Sequence, residues 1–279
     1  MHFSLIVFSL GLAWSLRFWQ RSPGNWGDRW QRTLGLFLLP PLLVLMTAIA
    51  VLCMGTQGTM LGLPVGWIGY SIALGFLGVA AGLGLYLAWQ GWRSLQRIQT
   101  YPLAHLNNQR GRTLNTTALF AGQVGFWQPQ LVVSRGLLQT LSPDQLHAVL
   151  THEQAHVYYR DTFWFFWLGW LRQFTAWLPH TEVLWQELLL LRELRADRWA
   201  AQRVDSLLLA ESLLLVVRSP LLDEPIYSAA FGSMAATSRL EERIDALLTA
   251  SPASSTTTPA LWLWLFVSLL PLLTICLHA

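Results

Sequence analysis

The chain has 279 residues, of which 53% are hydrophobic and 12% charged, with a mean hydropathy of +0.40. That balance is far from a typical soluble domain. The net charge of +3 is small, every basic residue is Arg, and the arginines sit at the ends of apolar runs, so no nucleic-acid partner is expected.

Four segments are apolar enough to be read as bilayer crossings, each of which needs about 20 residues. Phe3–Trp19 is the first. It lacks a basic start and a small-residue cleavage site, so it reads as a retained anchor and not a signal peptide. Leu34–Met54 is the second, with Pro40-Pro41 expected to kink it or mark its entrance. Leu63–Trp89 is the third, and Gly78-Val-Ala-Ala-Gly82 offers a small face for helix contact, or glycines merely tolerated in lipid. The fourth, Ala260–Leu277, comes after the linker Ser251–Pro259, whose composition cannot pack a core. Cys53 and Cys276 lie inside two of these runs, far apart and without ligand spacing, so neither a disulfide nor a Cys-bound zinc is expected.

Arg17, Arg21, Arg29 and Arg32 fall between the first two spans, and Arg93, Arg97, Arg110 and Arg112 come after the third. The loop Gly55–Leu61 carries no charge. By the positive-inside rule the N-terminus is outside and the region from about Arg93 to Ser255 is cytoplasmic.

In that region Thr113–Phe120 and Gln130–Ser134 predict a small antiparallel β-hairpin, punctuated by Gly122, Gly125 and Pro129. Ser142 then predicts an N-cap, Pro143 a first helical residue and Gln145 the partner in a capping box, with Leu146, Val149 and Leu150 as the buried stripe. Two turns into this helix stands Thr151-His-Glu-Gln-Ala-His156. Histidines at i and i+4 share one helix face, roughly 5–6 Å apart, so His152 and His156 can reach one zinc ion. Glu153 leans over the open position, where it can take a proton from water. The bland reading is a pair of core histidines satisfied by neighbours.

Phe163–Leu178 repeats aromatic residues at helical spacing, and its four tryptophans suggest a helix on or in the membrane interface. Glu187–Val204, Asp205–Val217 and Arg239–Leu248 are further helices. A catalytic zinc needs a third protein ligand. Glu193 is the choice, and Asp197, one turn later on the same face, suits a carboxylate that fixes a ligand histidine's tautomer. The competing reading is a solvated face pairing with Arg192, Arg195 and Arg198. His147 points elsewhere and reads as structural. His180 or Tyr227 could assist a substrate carbonyl, Asp161 could cap or pair with Arg160 or a neighbouring helix, and Arg243 could brace Asp197.

The run Leu141–Asp161 resembles the zinc helix of BlaR/MecR-type membrane metallopeptidases. Leu178–Trp185, Arg192–Asp197, Ala118–Gly125 with Pro129 and Leu131–Ser134, and Glu241–Ile244 resemble that family's other landmarks in order. The Glu193-to-Asp197 helix is also similar to that of the HtpX/CAAX-protease type. There a histidine precedes Glu-Glu-Arg-Ile, where this chain has Ala236-Thr-Ser-Arg239. The resemblance implies a gluzincin with Glu193 as third ligand, in a bacterial inner membrane. The BlaR/MecR sensors add a penicillin-binding domain after the last span; this chain ends at Ala279, so β-lactam sensing is not expected.

The expected fold is thus a mainly α membrane protein with four transmembrane helices and a cytoplasmic α+β zinc-metallopeptidase domain. Residues 1–92 would hold three spans, 93–250 the peptidase domain, 251–259 the linker and 260–279 the last span. The expected activity is a zinc endopeptidase holding one Zn2+ ion, acting on a protein or peptide substrate at the cytoplasmic face, in signalling or membrane protein turnover. The lipid bilayer is a partner and a homo-oligomer is left open. The alternatives are a structural-zinc or inactive membrane scaffold, which would not need Glu153, and a transporter, for which no span carries a central ionisable residue.

Overall fold

A computed structural model describes residues 2–18, 26–57, 59–60, 63–64, 66–106, 109–218, 236–249 and 260–277. The linker 251–259, Arg21 and Tyr227 lie outside them. Two units form, one from Met1–Leu87, Leu168–Leu188 and Ser254–Ala279, the other from Ala88–Trp167 and Leu189–Ala253.

The first unit holds α1 (His2–Arg17), α2 (Trp26–Met54), the short hairpin β1 (Thr59–Met60) and β2 (Leu63–Pro64), and α3 (Trp67–Gln99) as far as Leu87. Among the described residues α2 and α3 are long and apolar enough to cross a membrane. Helix α2 runs unbroken through Pro40 and Pro41. Pro41 has no amide to give Phe37, four residues back, and the buried Arg17 donates to that carbonyl instead, from 3.4 Å. The chain's end is not one continuous helix: an α-helix over Ala260–Ser268 gives way to a 3-10 helix over Leu270–Leu277. Pro271 accounts for the break, since it disfavours α geometry at the preceding residue.

The second unit holds β3 (Leu103–Leu106), β4 (Gln109–Leu114), β5 (Ala121–Val124), β6 (Gln130–Ser134), α4 (Arg135–Thr140) and α5 (Pro143–Tyr158). It also takes the first half of α6 (Asp161–Phe174), the later part of α7 (Thr181–Ala201), α8 (Ser206–Arg218) and α9 (Ala236–Leu248). The sheet corrects the expected hairpin. Its order is β3-β4-β6-β5, and β4 pairs parallel with β6, Arg112 opposite Val132. The hairpin proper is β5 with β6, Gly122 opposite Val132. Residues 115–120, expected as strand, are a connection. Thr116 turns back onto Leu114 O, and the connection packs so closely on α4 that a Cβ at Gly136 would stand 2.1 Å from Thr117 O.

Ser134 ties the sheet to α4. Its hydroxyl accepts from Phe120 N and from Leu137 N, capping that helix. Eight residues on, the Ser142 hydroxyl accepts from Gln145 N while Gln145 Oε1 accepts from Ser142 N, the expected capping box of α5. Helix α5 is then gripped on two sides. Val149 and Leu150 pack with Leu131, Val133, Leu137 and Leu141. Ala148 packs with Ala200, Leu209, Leu213 and Leu247 from α7, α8 and α9. Each fully buried leucine contributes about 1.5–3 kcal/mol, which holds α5 at fixed depth and rotation.

Candidate metal centre

Helix α5 presents His152 and His156 one turn apart, both buried. Their Nε2 atoms lie 3.2 Å from each other. Helix α7 brings Glu193 to the same point: Oε2 is 3.3 Å from His152 Nε2 and Oε1 is 3.8 Å from His156 Nε2. One donor atom from each residue lies within 4.8 Å of the others.

Behind each imidazole stands a carboxylate. His156 Nδ1–H donates to Asp161 Oδ2 over 2.7 Å, and Asp161 Oδ1 accepts from Arg195. His152 Nδ1 is 2.9 Å from Asp197 Oδ1, and Asp197 takes a two-pronged pair from Arg243, 2.7 and 2.8 Å. With His156 Nδ1–H held by Asp161, the His156 Nε2 lone pair points at the shared centre, where His152 Nε2 also lies. Helix geometry explains the α7 side: Glu193 and Asp197 are i and i+4, so one carboxylate meets Nε2 and the other Nδ1 of the same ring.

The Asp161 position depends on a tight corner. Helix α5 stops at Tyr158, Arg160 adopts φ 53°, and α6 begins at Asp161, which turns the carboxylate back onto His156. Sequence reasoning placed Asp161 against Arg160 or a neighbouring helix, which its pair with Arg195 of α7 meets, but missed its bond to His156. The available signal was an acid directly after the zinc helix.

The charges are mutually balanced. Burial raises the Glu193 carboxyl, but Arg192, His156, His152 and Arg243 together hold it well below the usual range. Asp197 is likewise lowered against its burial, chiefly by Arg243. Burial lowers the His152 ring, yet the carboxylates of Asp197 and Glu193 outweigh that and push it up to about 10. Arg192 also grips Glu193 Oε1, at 2.7 and 2.9 Å. Arg195 pairs with Asp161, and the expected pairing of Arg192 with Glu193 is present.

Glu153 is buried beside His152, and its Oε2 has no hydrogen-bond partner among the described residues. Of the other candidates, His147 is exposed on α5, outside the cluster. His180 belongs to the other unit, at φ 56° with its ring edge-on to Phe18. Arg243 braces Asp197 and stands 3.6 Å from Glu193 Oε2.

The donor set fits a zinc ion. Two imidazole nitrogens and a carboxylate oxygen are a common catalytic trio, and bonds of ~2.0–2.1 Å in a tetrahedron separate ligands by ~3.3–3.4 Å. The His152–His156 Nε2 separation of 3.2 Å and the His152 Nε2–Glu193 Oε2 separation of 3.3 Å match that edge, and one donor from each of the three residues lies within 4.8 Å of the others.

A match to Peptidase family M48 covers residues 113–219. It runs from the end of β4 past α8, taking in both ligand helices and stopping before Arg243. No curated protein and no solved structure matches the chain. Peptidases of family M48 are zinc metalloproteases. The match and the compatible His152, His156 and Glu193 cluster support a metallopeptidase.

Proposed function

We propose that this chain is an integral membrane zinc endopeptidase in which His152, His156 and Glu193 hold one ion and Glu153 is the general base. The observation that carries the reading is the buried Glu153 Oε2 without a hydrogen-bond partner among the described residues, next to the gathered donors of His152, His156 and Glu193. A carboxylate oxygen left bare inside a protein costs free energy unless a ligand completes it.

Bound zinc supplies a Lewis acid that acidifies water and polarises a carbonyl. Everything else is done by the chain. Glu153 Oε2 accepts a proton from the attacking water and returns it to the leaving amine nitrogen. Asp161 holds the His156 Nδ1–H and so fixes that ring, and the Asp197 carboxylate stands 2.9 Å behind His152 Nδ1. Strand β5 supports substrate alignment. It is an edge strand packed against α5. Ser134 N donates to Phe120 O, so pairing alternates and the backbone groups of Ala121 and Gln123 face the open edge. An extended peptide added there would be held by main-chain bonds.

The membrane part of the reading rests on α2 and α3, on the apolar ends of the chain and on the arginine distribution. It gives four crossings, a cytoplasmic active site and a multi-pass protein of a bacterial inner membrane; the BlaR/MecR type rests on the motif resemblance of Leu141–Asp161 and the runs after it. A structural zinc would not need a bare base beside it, which disfavours the scaffold alternative.

The test is Glu153→Gln in the purified full chain. Zinc content stays at one per chain while cleavage of protein substrates, read by comparing peptides from cells with each form, disappears. Undiminished cleavage would refute Glu153 as base.

A further inference from the structure

Phe126 and Trp127 form the tip of the β5–β6 turn, and rings clip that turn to α6. Phe126 lies 4.9 Å from Phe163, 5.0 Å from Phe166 and 6.2 Å from Trp167, centroid to centroid, and Trp127 lies 5.2 Å from Phe163. Trp164 continues the set, 5.1 Å from Phe163. Gly125 makes the turn possible. Its φ is +135°, and a Cβ there would meet Gln128 O at 3.0 Å.

This set of rings is open on its outer side: Trp127 is 75% exposed, Trp164 58% and Trp167 43%. Contiguous exposed aromatic surface marks an interaction site. No ionisable side chain occurs from Ala121 to Ser134 or from Thr162 to Trp167. Charge returns only at the rim. Arg160 is exposed one turn before Trp164 and has no ion-pair partner among the described residues. Uncharged rings bordered by an unpaired cation complement the two layers of a bilayer interface, apolar within and phosphate-bearing outside.

We propose that Phe126, Trp127, Phe163, Trp164 and Trp167 form a lipid-contact surface seated in the bilayer's interfacial layer, with Arg160 at the level of the phosphates. The β5–β6 turn directly continues β5, so the surface also fixes one end of the edge strand at the lipid boundary. This rests on the proposal that the chain is a membrane protein.

The test uses full-length protein with Cys53→Ser and Cys276→Ser, in phosphatidylcholine–phosphatidylglycerol vesicles. Nitroxide labels are placed singly at Gln128→Cys, Trp164→Cys, Leu85→Cys and Gln139→Cys. Gln128 is exposed, so a label there leaves the ring contacts intact, and Trp164 provides an independent second site. Leu85, exposed on α3, reports a span, and Gln139, exposed on α4, reports water. Labels at 128 and 164 are expected to collide more with oxygen than with a water-soluble nickel chelate, as at 85, with the order reversed at 139. If 128 and 164 behave like 139 while 85 is lipid-accessible, the surface proposal falls and the membrane reading stands. If 85 also favours the chelate, both fall. Shielding of 128 and 164 from both reagents means that another protein copy covers the patch, which also overturns the proposal.

Discussion

Asp161 and His156 are joined by a 2.7 Å hydrogen bond across the α5–α6 corner, five residues apart in sequence. The bond fixes which nitrogen of His156 carries the proton, and Arg195 holds the carboxylate from behind. Asp161→Asn should therefore lower zinc affinity about 10–100-fold, the usual cost of losing a carboxylate behind a ligand histidine. Chelator competition on the folded protein checks this. Unchanged affinity would reduce Asp161 to a helix cap.

Arg243 pairs with Asp197 through two hydrogen bonds and is itself largely buried. Removing one partner of such a pair leaves a charge without compensation, at about 3–5 kcal/mol. Arg243→Gln is expected to lower the melting temperature markedly, and adding Asp197→Asn should restore part of the loss. A double variant no more stable than the additive sum would contradict the coupling.

Local and tertiary relationships differ in how legible they are in the sequence. The Ser142–Gln145 box and the His152–His156 spacing are set within one helix, where local rules decide. Glu193 and Asp197 share a visible face, but only tertiary packing tells a ligand face from a solvated one. Asp161 is obscured because its role needs Arg160 in a left-handed conformation, which nothing about an arginine foretells. The parallel pairing of β4 with β6 is likewise hidden: alternation reports faces, not partners. The strand expected over Thr113–Phe120 overruns Leu114 into a connection shaped by its contact with Gly136. The C-terminal break at Pro271 is legible in the sequence, but the length of the apolar run masks it.

Metal-free protein should hold an extra proton at the centre. The His152 ring is raised from its ordinary 6.5 to about 10 by Asp197 and Glu193. Its charged form therefore stabilises the metal-free fold fully below about 6.5, and that contribution is lost as pH rises through about 10. Zinc must displace this proton, so apparent affinity should rise about tenfold per pH unit over that window. Titration calorimetry in buffers of different ionisation enthalpy would show the released proton. Heat independent of the buffer would argue against it.

Ala121 directs its backbone amide to the open edge of β5. Ala121→Pro removes that donor while leaving the β6 ladder intact. One main-chain hydrogen bond is worth about 0.5–1.5 kcal/mol, so cleavage should fall by up to about tenfold with zinc content unchanged. Cleavage at the wild-type rate would place the substrate elsewhere.

Elemental analysis with X-ray absorption on the purified wild-type chain and on His156→Ala bears most directly on whether this centre holds a metal. The wild type is predicted to carry one zinc with two nitrogen ligands and at least one oxygen at ~2.0–2.2 Å, and no sulfur; His156→Ala is predicted to lose it. A wild-type protein without metal, or a zinc that survives the loss of His156, would contradict the account.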